Sequence, residues 1–267
     1  MEVIVKKDYD EMSRLAAQKI AAVVRENPRC VLGLATGSTP LGTYKELIRM
    51  HKKEGLDFQQ VASFNLDEYV GIQPTHDQSY YHFMYHNLFK HININLDNVH
   101  VPSGIAADVE AHCAWYDDEI ERWGGIDIQL LGIGGNGHIA FNEPGTAVFS
   151  RTNWVKLDSR TIADNARFFK RAADVPRYAI TMGIGTILEA REVVLLANKA
   201  SKADAIAATV EGPITAIVPA SALQLHPDCT IITDRDAAGK LTRKYGSTPV
   251  KLPPVKKTKK VAKKRKK

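Results

Sequence analysis

The sequence predicts an α/β fold: a single domain built on a mostly parallel open sheet with helices on both faces. Two observations carry that prediction. Several short runs are continuously apolar instead of alternating: CVLGLA (30–35), VASFNL (61–66), IDIQLLG (126–132), YAITM (178–182), EVVLLA (192–197), ITAIVP (214–219) and CTIITD (229–234). Strands buried on both faces read this way. Segments with helical spacing lie between most of the runs, and strand–helix alternation marks a Rossmann-like parallel sheet. A chain of 267 residues is ample for a full core.

The first helix is expected over residues 8–26, where Met12, Leu15, Ala16, Ile20, Val23 and Val24 fall at helical spacing. Asp8 is its N-cap, with Glu11 three residues later in a variant of the capping box, and Asn27-Pro28 ends it. The run at 30–35 leads into TGSTP and a second helix, LGTYKELIRMHKKEG, stopped by Gly55. Residues 79–91, 108–123 and 201–212 also read as helices. There is no internal repeat. The low-complexity segment is the tail, residues 251–267, which follows the domain spanning 1–250. It begins near Pro253-Pro254 and offers too little apolar surface to order itself.

The formal net charge of +6 is misleading. The tail KLPPVKKTKKVAKKRKK holds 10 Lys and Arg and no acid, so residues 1–250 carry 26 basic against 30 acidic residues, a formal −4. The basic pI belongs to the tail, which is expected to bind polyanions without sequence specificity, and the domain is not read as a nucleic-acid binder. The N-terminus has no apolar run of the signal-peptide kind, and no stretch approaches the ~18 apolar residues of a membrane span. Cys30, Cys113 and Cys229 lie far apart with no CxxC, which suggests reduced thiols in the cytoplasm. His82 and His86 are four apart on a predicted helix, but no Glu follows His82, so the H-E-x-x-H metal pattern fails and a surface or interface role is favoured.

Ligands in open α/β sheets sit at the carboxyl ends of strands, and three strand-end loops here are unusual. In Thr36-Gly37-Ser38-Thr39-Pro40, Gly37 permits the turn, Pro40 suits a first helical turn, and two hydroxyls stand beside the free amides of a helix N-terminus. That arrangement serves as an anion site or, equally, as an ordinary cap; the Gly-Lys-Ser/Thr ending of a Walker A loop is missing. In Phe64-Asn65-Leu66-Asp67-Glu68-Tyr69, two adjacent carboxylates stand at a strand end. One suits a helix cap; the other, beside an anion loop, suits a general base. The third loop, LLGIGGNGHIAFNEPG (130–145), has the Gly132-x-Gly134-x-x-Gly137 spacing of a dinucleotide fingerprint. Pro144-Gly145 breaks any long helix after it, so the fingerprint reads as a false positive, although Asp158 falls where a ribose-binding acid would. The glycines instead let Asn136, His138 and Glu143 converge, with the amide and carboxylate fixing the tautomer of the imidazole.

In this order, LGLATGSTPLGTY, FNLDEYVG, LLGIGGNGHIAFNEPG and TMGIGTILEA resemble the glucosamine-6-phosphate deaminases, over about residues 1–235. The related 6-phosphogluconolactonases share the fold and the phosphate loop without that combination. The resemblance implies conversion of glucosamine 6-phosphate to fructose 6-phosphate and ammonia. It implies that His138 opens the sugar ring by moving a proton between O1 and O5, helped by Asn136 and Glu143, and that Asp67 carries the proton from C2 to C1. It also implies that the phosphate sits on Gly37, Ser38 and Thr39 and is reached by Arg167 and Lys202, with no metal or other cofactor.

Two departures stand out. Asn136 occupies a position where many members carry Asp, which points to a different pH profile for ring opening. Asn153 stands where an Arg is expected in members activated by N-acetylglucosamine 6-phosphate, and the Lys-rich tail replaces the usual C-terminal extension. Both point away from allosteric activation and from the hexamer that accompanies it, leaving a monomer or another homo-oligomer. A lactonase-type hydrolase and a non-catalytic sugar-phosphate-binding protein are the alternatives on this scaffold.

Overall fold

The computed structural model describes residues 1–158, 161–163, 166, 169, 171 and 174–246. The tail at 251–267 lies outside them, as does the last stretch of the 1–250 unit.

Ten strands are present among these residues: β1 (Glu2–Val5), β2 (Val31–Leu34), β3 (Ala62–Asn65), β4 (Asp67–Tyr69), β5 (Val99–His100), β6 (Ile128–Leu131), β7 (Asn153–Lys156), β8 (Tyr178–Thr181), β9 (Glu192–Ala197) and β10 (Cys229–Thr233). The main sheet has the order β1-β10-β9-β6-β2-β3-β5, and its pairings are parallel throughout. Helices α1 (Tyr9–Glu26), α2 (Leu41–Glu54) and α3 (Tyr80–Asn87) contribute to the core on one face, with Leu32, Leu34, Leu130, Leu196 and Ile232 from the strands. Helices α4 (Val109–Arg122), α5 (Ile184–Leu188) and α6 (Ala203–Glu211) contribute to the other, with Val31, Leu131, Val193, Leu195 and Ile231. Alternate residues of one strand thus feed opposite cores, which is why the runs are continuously apolar. Each fully buried Leu or Ile stabilises the fold by roughly 1.5–3 kcal/mol.

The helix signals act as the sequence suggests. Asp8 accepts the Glu11 amide at 2.9 Å, and Gly55 closes α2 with φ of +72°, a conformation that favours glycine. Two expectations are corrected. ITAIVP (214–219) forms no strand: only a bridge between Thr215 and Val218 occurs, followed by a 3-10 helix over Pro219–Leu225. Proline brackets the run at 213 and 219, and Ile217 remains 67% exposed, so this is a surface turn of apolar composition. YAITM does form a strand, β8, but outside the parallel sheet, in a small antiparallel sheet of order β4-β8-β7.

From β2 the chain steps to β3 and β5 on one side, then returns past β2 to β6, β9 and β10 on the other. The order therefore reverses between β2 and β6. The crevice at the carboxyl ends of those two strands is where such sheets bind ligands.

Candidate active site

A cavity of about 250 Å³ opens at this switch point, lined by Gly37, Ser38 and Thr39 after β2, Asp67 after β3, Gly132 to Gly135 and His138 after β6, and Lys202 after β9. Loops distant in sequence converge because the parallel strands deliver all their carboxyl ends to one edge.

Asp67 stands where the chain leaves one sheet for the other. Leu66 N–H donates to Leu34 of the main sheet at 3.3 Å, while Met182 N–H donates to the Leu66 carbonyl at 2.7 Å. From Asp67 the strand pairs with β8, with Thr181 opposite. The joint holds the Asp67 carboxylate on the cavity wall, 7% exposed. Burial, with the neighbouring Glu68 charge adding to it, pushes its pKa up to about 8.

Strand alternation sends Glu68 the other way. Its carboxylate accepts the amides of Tyr69, Tyr80 and Tyr81 at 2.8–3.1 Å, at the N-terminus of α3. Burial raises its pKa to about 7, with these amides opposing part of the rise. The two adjacent carboxylates therefore divide the two readings: Glu68 caps the helix and Asp67 faces the cavity.

The Gly37 loop adopts φ of +94° at its glycine and leads directly into α2, whose N-terminus favours an anion. Tyr9 of α1 braces it. The Tyr9 hydroxyl donates to the Ser38 and Thr39 carbonyls at 3.2 and 3.0 Å and accepts the Gly42 amide at 2.7 Å. On the far side Thr39 Oγ1 donates to Asn198 Oδ1 at 3.2 Å. Tyr9 is absent from the sequence reading, because at the start of a helix it reads as an amphipathic core residue.

In the loop after β6 no helix follows the glycines, so the dinucleotide fingerprint is a coincidence of spacing. A Cβ on Gly134 would lie 2.3–2.4 Å from the His138 ring, so this glycine makes room for the imidazole. His138 Nδ1 is 3.3 Å from Glu143 Oε2, without good hydrogen-bond alignment. Glu143 also accepts from Asn136 Nδ2 at 2.8 Å and from the Thr161 hydroxyl. Burial alone would raise Glu143, but His138, Thr161 and Asn136 outweigh it and hold it down at about 2. Asn136 accepts the His138 backbone amide at 3.2 Å, so it reaches the imidazole only through Glu143. Asn136 and Glu143 stand behind His138 and do not line the cavity. Ala140 at φ of +51° turns the chain, and buried Asn142 fixes that turn by donating to Ile139 and Met182 carbonyls at 3.0 and 2.8 Å.

Tyr80 and Phe141 complete the wall, their rings stacked at 6.1 Å. Neither Tyr80 nor Thr161 is foreseen by the sequence, since each is brought in by tertiary packing with no local motif. Lys202 lies at the N-cap of α6 and lines the cavity. Arg167 lies outside the described residues. Among the described residues no group of three or more His, Cys, Asp or Glu side chains is placed to hold a metal ion. His82 and His86 stack on one another at 3.9 Å, with His86 Nδ1 3.0 Å from the His82 carbonyl. The three cysteines are buried and unpaired.

A parallel α/β sheet with a buried carboxylate, a carboxylate-backed histidine and a helix-N-terminal loop in one switch-point cavity defines a small-molecule enzyme site. Residues 7–232 match the profile of the glucosamine-6-phosphate isomerases/6-phosphogluconolactonase, and the chain belongs to that family. Among its relatives, a glucosamine-6-phosphate deaminase of Thermoanaerobacter pseudethanolicus is 55% identical over 238 residues, 89% of this chain and 94% of that one. One of Clostridium perfringens is 53% identical over 89% of this chain and 98% of that one. A solved structure described as a monomeric glucosamine-6-phosphate deaminase of the NagB superfamily superposes with a TM-score of 0.88 at 46% identity, covering 90% of this chain and all of that one. A 6-phosphogluconolactonase from Trypanosoma cruzi, at 22% identity and a TM-score of 0.72, shares the fold.

Proposed function

We propose that the chain converts glucosamine 6-phosphate and water to fructose 6-phosphate and ammonia. The observation that carries this reading is Asp67: a buried carboxylate, raised to about 8, in one cavity with His138 and an anion loop. Lactone hydrolysis moves no proton at C2 and has no use for such a base. The identities of 46–55% with deaminases, against 22% with a lactonase, agree.

The phosphate binds the amides and hydroxyls of Gly37, Ser38 and Thr39, where the positive end of α2 favours an anion, with Lys202 and Arg167 as cations. His138 carries the proton from O1 to O5 and the ring opens. Glu143 stabilises the imidazolium that forms in transit, and Asn136 and Thr161 hold Glu143. Asp67 then removes the proton on C2. The electron pair of that bond forms a C1–C2 double bond, and the carbonyl oxygen at C1 gains a proton, giving an enolamine. Asp67 returns its proton to C1, leaving a C2 iminium. Water adds at C2 and ammonia departs. Each acid–base step contributes roughly 10²–10⁴-fold. We also place the enzyme in the cytoplasm, a reading supported by its three unpaired cysteines and the chemistry of its substrate.

Incubation with glucosamine 6-phosphate should release ammonia and fructose 6-phosphate in equal amounts. Hydrolysis of 6-phosphogluconolactone with no ammonia from the amino sugar would overturn the assignment.

A further inference from the structure

Lys199 is one of two non-glycine residues with positive φ among the described residues, at φ of +78° and ψ of 148°. That region is essentially reserved for glycine, because a Cβ there collides with its own backbone. The Lys199 side chain is exposed, so no packing of its own repays the strain. A strained residue of this kind persists only where its surroundings impose it.

Asp234 imposes it. At the end of β10, next to β9 in the sheet, this carboxylate is 8% exposed. Both its oxygens accept the Lys199 amide, at 3.2 and 3.0 Å, and Oδ1 also accepts the Ala237 amide at 2.8 Å. Asp234 N–H donates to the Ala197 carbonyl at 3.2 Å. Lys202, which lines the cavity, and Asn198, which touches the cavity residue Thr39, both depend on where Lys199 is held. The Lys199 carbonyl accepts the Lys202 amide at 3.0 Å, closing the single turn that presents Lys202 to the cavity. On its other side, Asn198 accepts the Thr39 hydroxyl.

We propose that Asp234 is a positioning residue for the substrate phosphate: by clamping Lys199 in a glycine-type backbone conformation it sets Lys202 and Asn198 around the anion loop. The proposal rests on the phosphate assignment above. Asp234 reaches the ligand only through the backbone at 199, and it takes no part in proton transfer. The strain marks the position where glycine would serve without a clamp.

The test is a cycle over Asp234→Ala and Lys199→Gly, with KM and kcat measured for glucosamine 6-phosphate in all four proteins. In the parent background Asp234→Ala should raise KM about tenfold, in line with loss of a charge-assisted hydrogen bond, with kcat within twofold. In the Lys199→Gly background the same substitution should raise KM less than threefold, since glycine holds the conformation unaided. Equal KM effects in both backgrounds would overturn the proposal, as would a parental KM in Asp234→Ala or a fall confined to kcat. If Asp234→Ala fails to fold, Asp234→Asn, which keeps one acceptor oxygen, is read by the same comparison with a smaller KM effect expected. Should the parent release no ammonia, the functional reading fails by itself; the clamp is then read by calorimetric titration of inorganic phosphate against the four proteins, with the same pattern expected in Kd.

Discussion

Asp67 and Glu68 are neighbours in sequence with opposite assignments, decided by which face of a short strand each occupies. Buried Asp67 holds its proton more tightly folded than unfolded, its pKa raised to about 8 from the ordinary carboxylate range. The raised pKa adds stability that is fully present below the unfolded value and lost as pH rises through the folded one. Asp67→Asn should therefore raise Tm, and by more at pH 9 than at pH 5; an equal change at both would show that the carboxylate is not desolvated. A general base must be ionised, so kcat/KM should rise with pH on a limb well above the ordinary carboxylate range. Glu68→Gln removes the neighbouring negative charge and should move that limb to lower pH, which a pH–rate profile will show. Glu143 has the opposite sign. Its folded pKa of about 2 contributes stability above the unfolded value that is lost as pH falls through the folded one. Glu143→Gln should lower kcat about a hundredfold by leaving the imidazolium without its carboxylate; parental kcat would place that charge elsewhere.

At the scale of elements, the strand-end loops were the legible part. The Asp8 cap of α1 and the Gly55 stop of α2 could be read because such signals are local. Ser79 and Asp108, not singled out in the sequence, also accept amides three residues on, and the helix expected over 79–91 ends at Asn87, with a 3-10 turn over Phe89–His91 after it. The parallel strands were visible as apolar runs. The small antiparallel sheet was not, since DEY and NWVK are very short, carry polar residues on both faces and pair only with β8, which is distant in sequence. ITAIVP misled because composition alone cannot tell a buried strand from an apolar surface turn. Within the site, the Gly-rich loop and both carboxylates could be read from spacing. Tyr9, Tyr80 and Asp234 could not, because the partner each serves in the site lies 29 or more residues away in sequence. Two loop predictions follow. Gly134→Ala should cut kcat at least tenfold with little change in Tm, as its Cβ meets the His138 ring; full activity would mean that the ring has room to shift. Tyr9→Phe should raise KM several-fold by releasing the Ser38 and Thr39 carbonyls and the Gly42 amide, each hydrogen bond being worth about 1 kcal/mol; an unchanged KM would show that α2 holds the loop unaided.

For the molecule as a whole, charge and chemistry are separable. Residues 1–250 carry a formal −4 and the last seventeen residues carry ten positive charges. Removal of 251–267 should leave turnover unchanged while abolishing retention on a polyanion column. Retention of the full chain should collapse with salt, as counterion release requires. A several-fold loss of turnover on truncation would make the tail part of the working enzyme. The cavity itself arises from topology: a sheet that reverses its order between β2 and β6 gathers the anion loop, the carboxylate and the histidine at one edge, and a joint between two sheets buries the carboxylate there. The proposed mechanism turns on Asp67 as the group that moves the C2 proton. Ammonia release from glucosamine 6-phosphate by Asp67→Asn, beside the parent protein, tests it most directly. A folded variant with turnover lowered by two orders of magnitude or more is expected; a folded variant that keeps more than a few per cent of parental turnover would rule that role out.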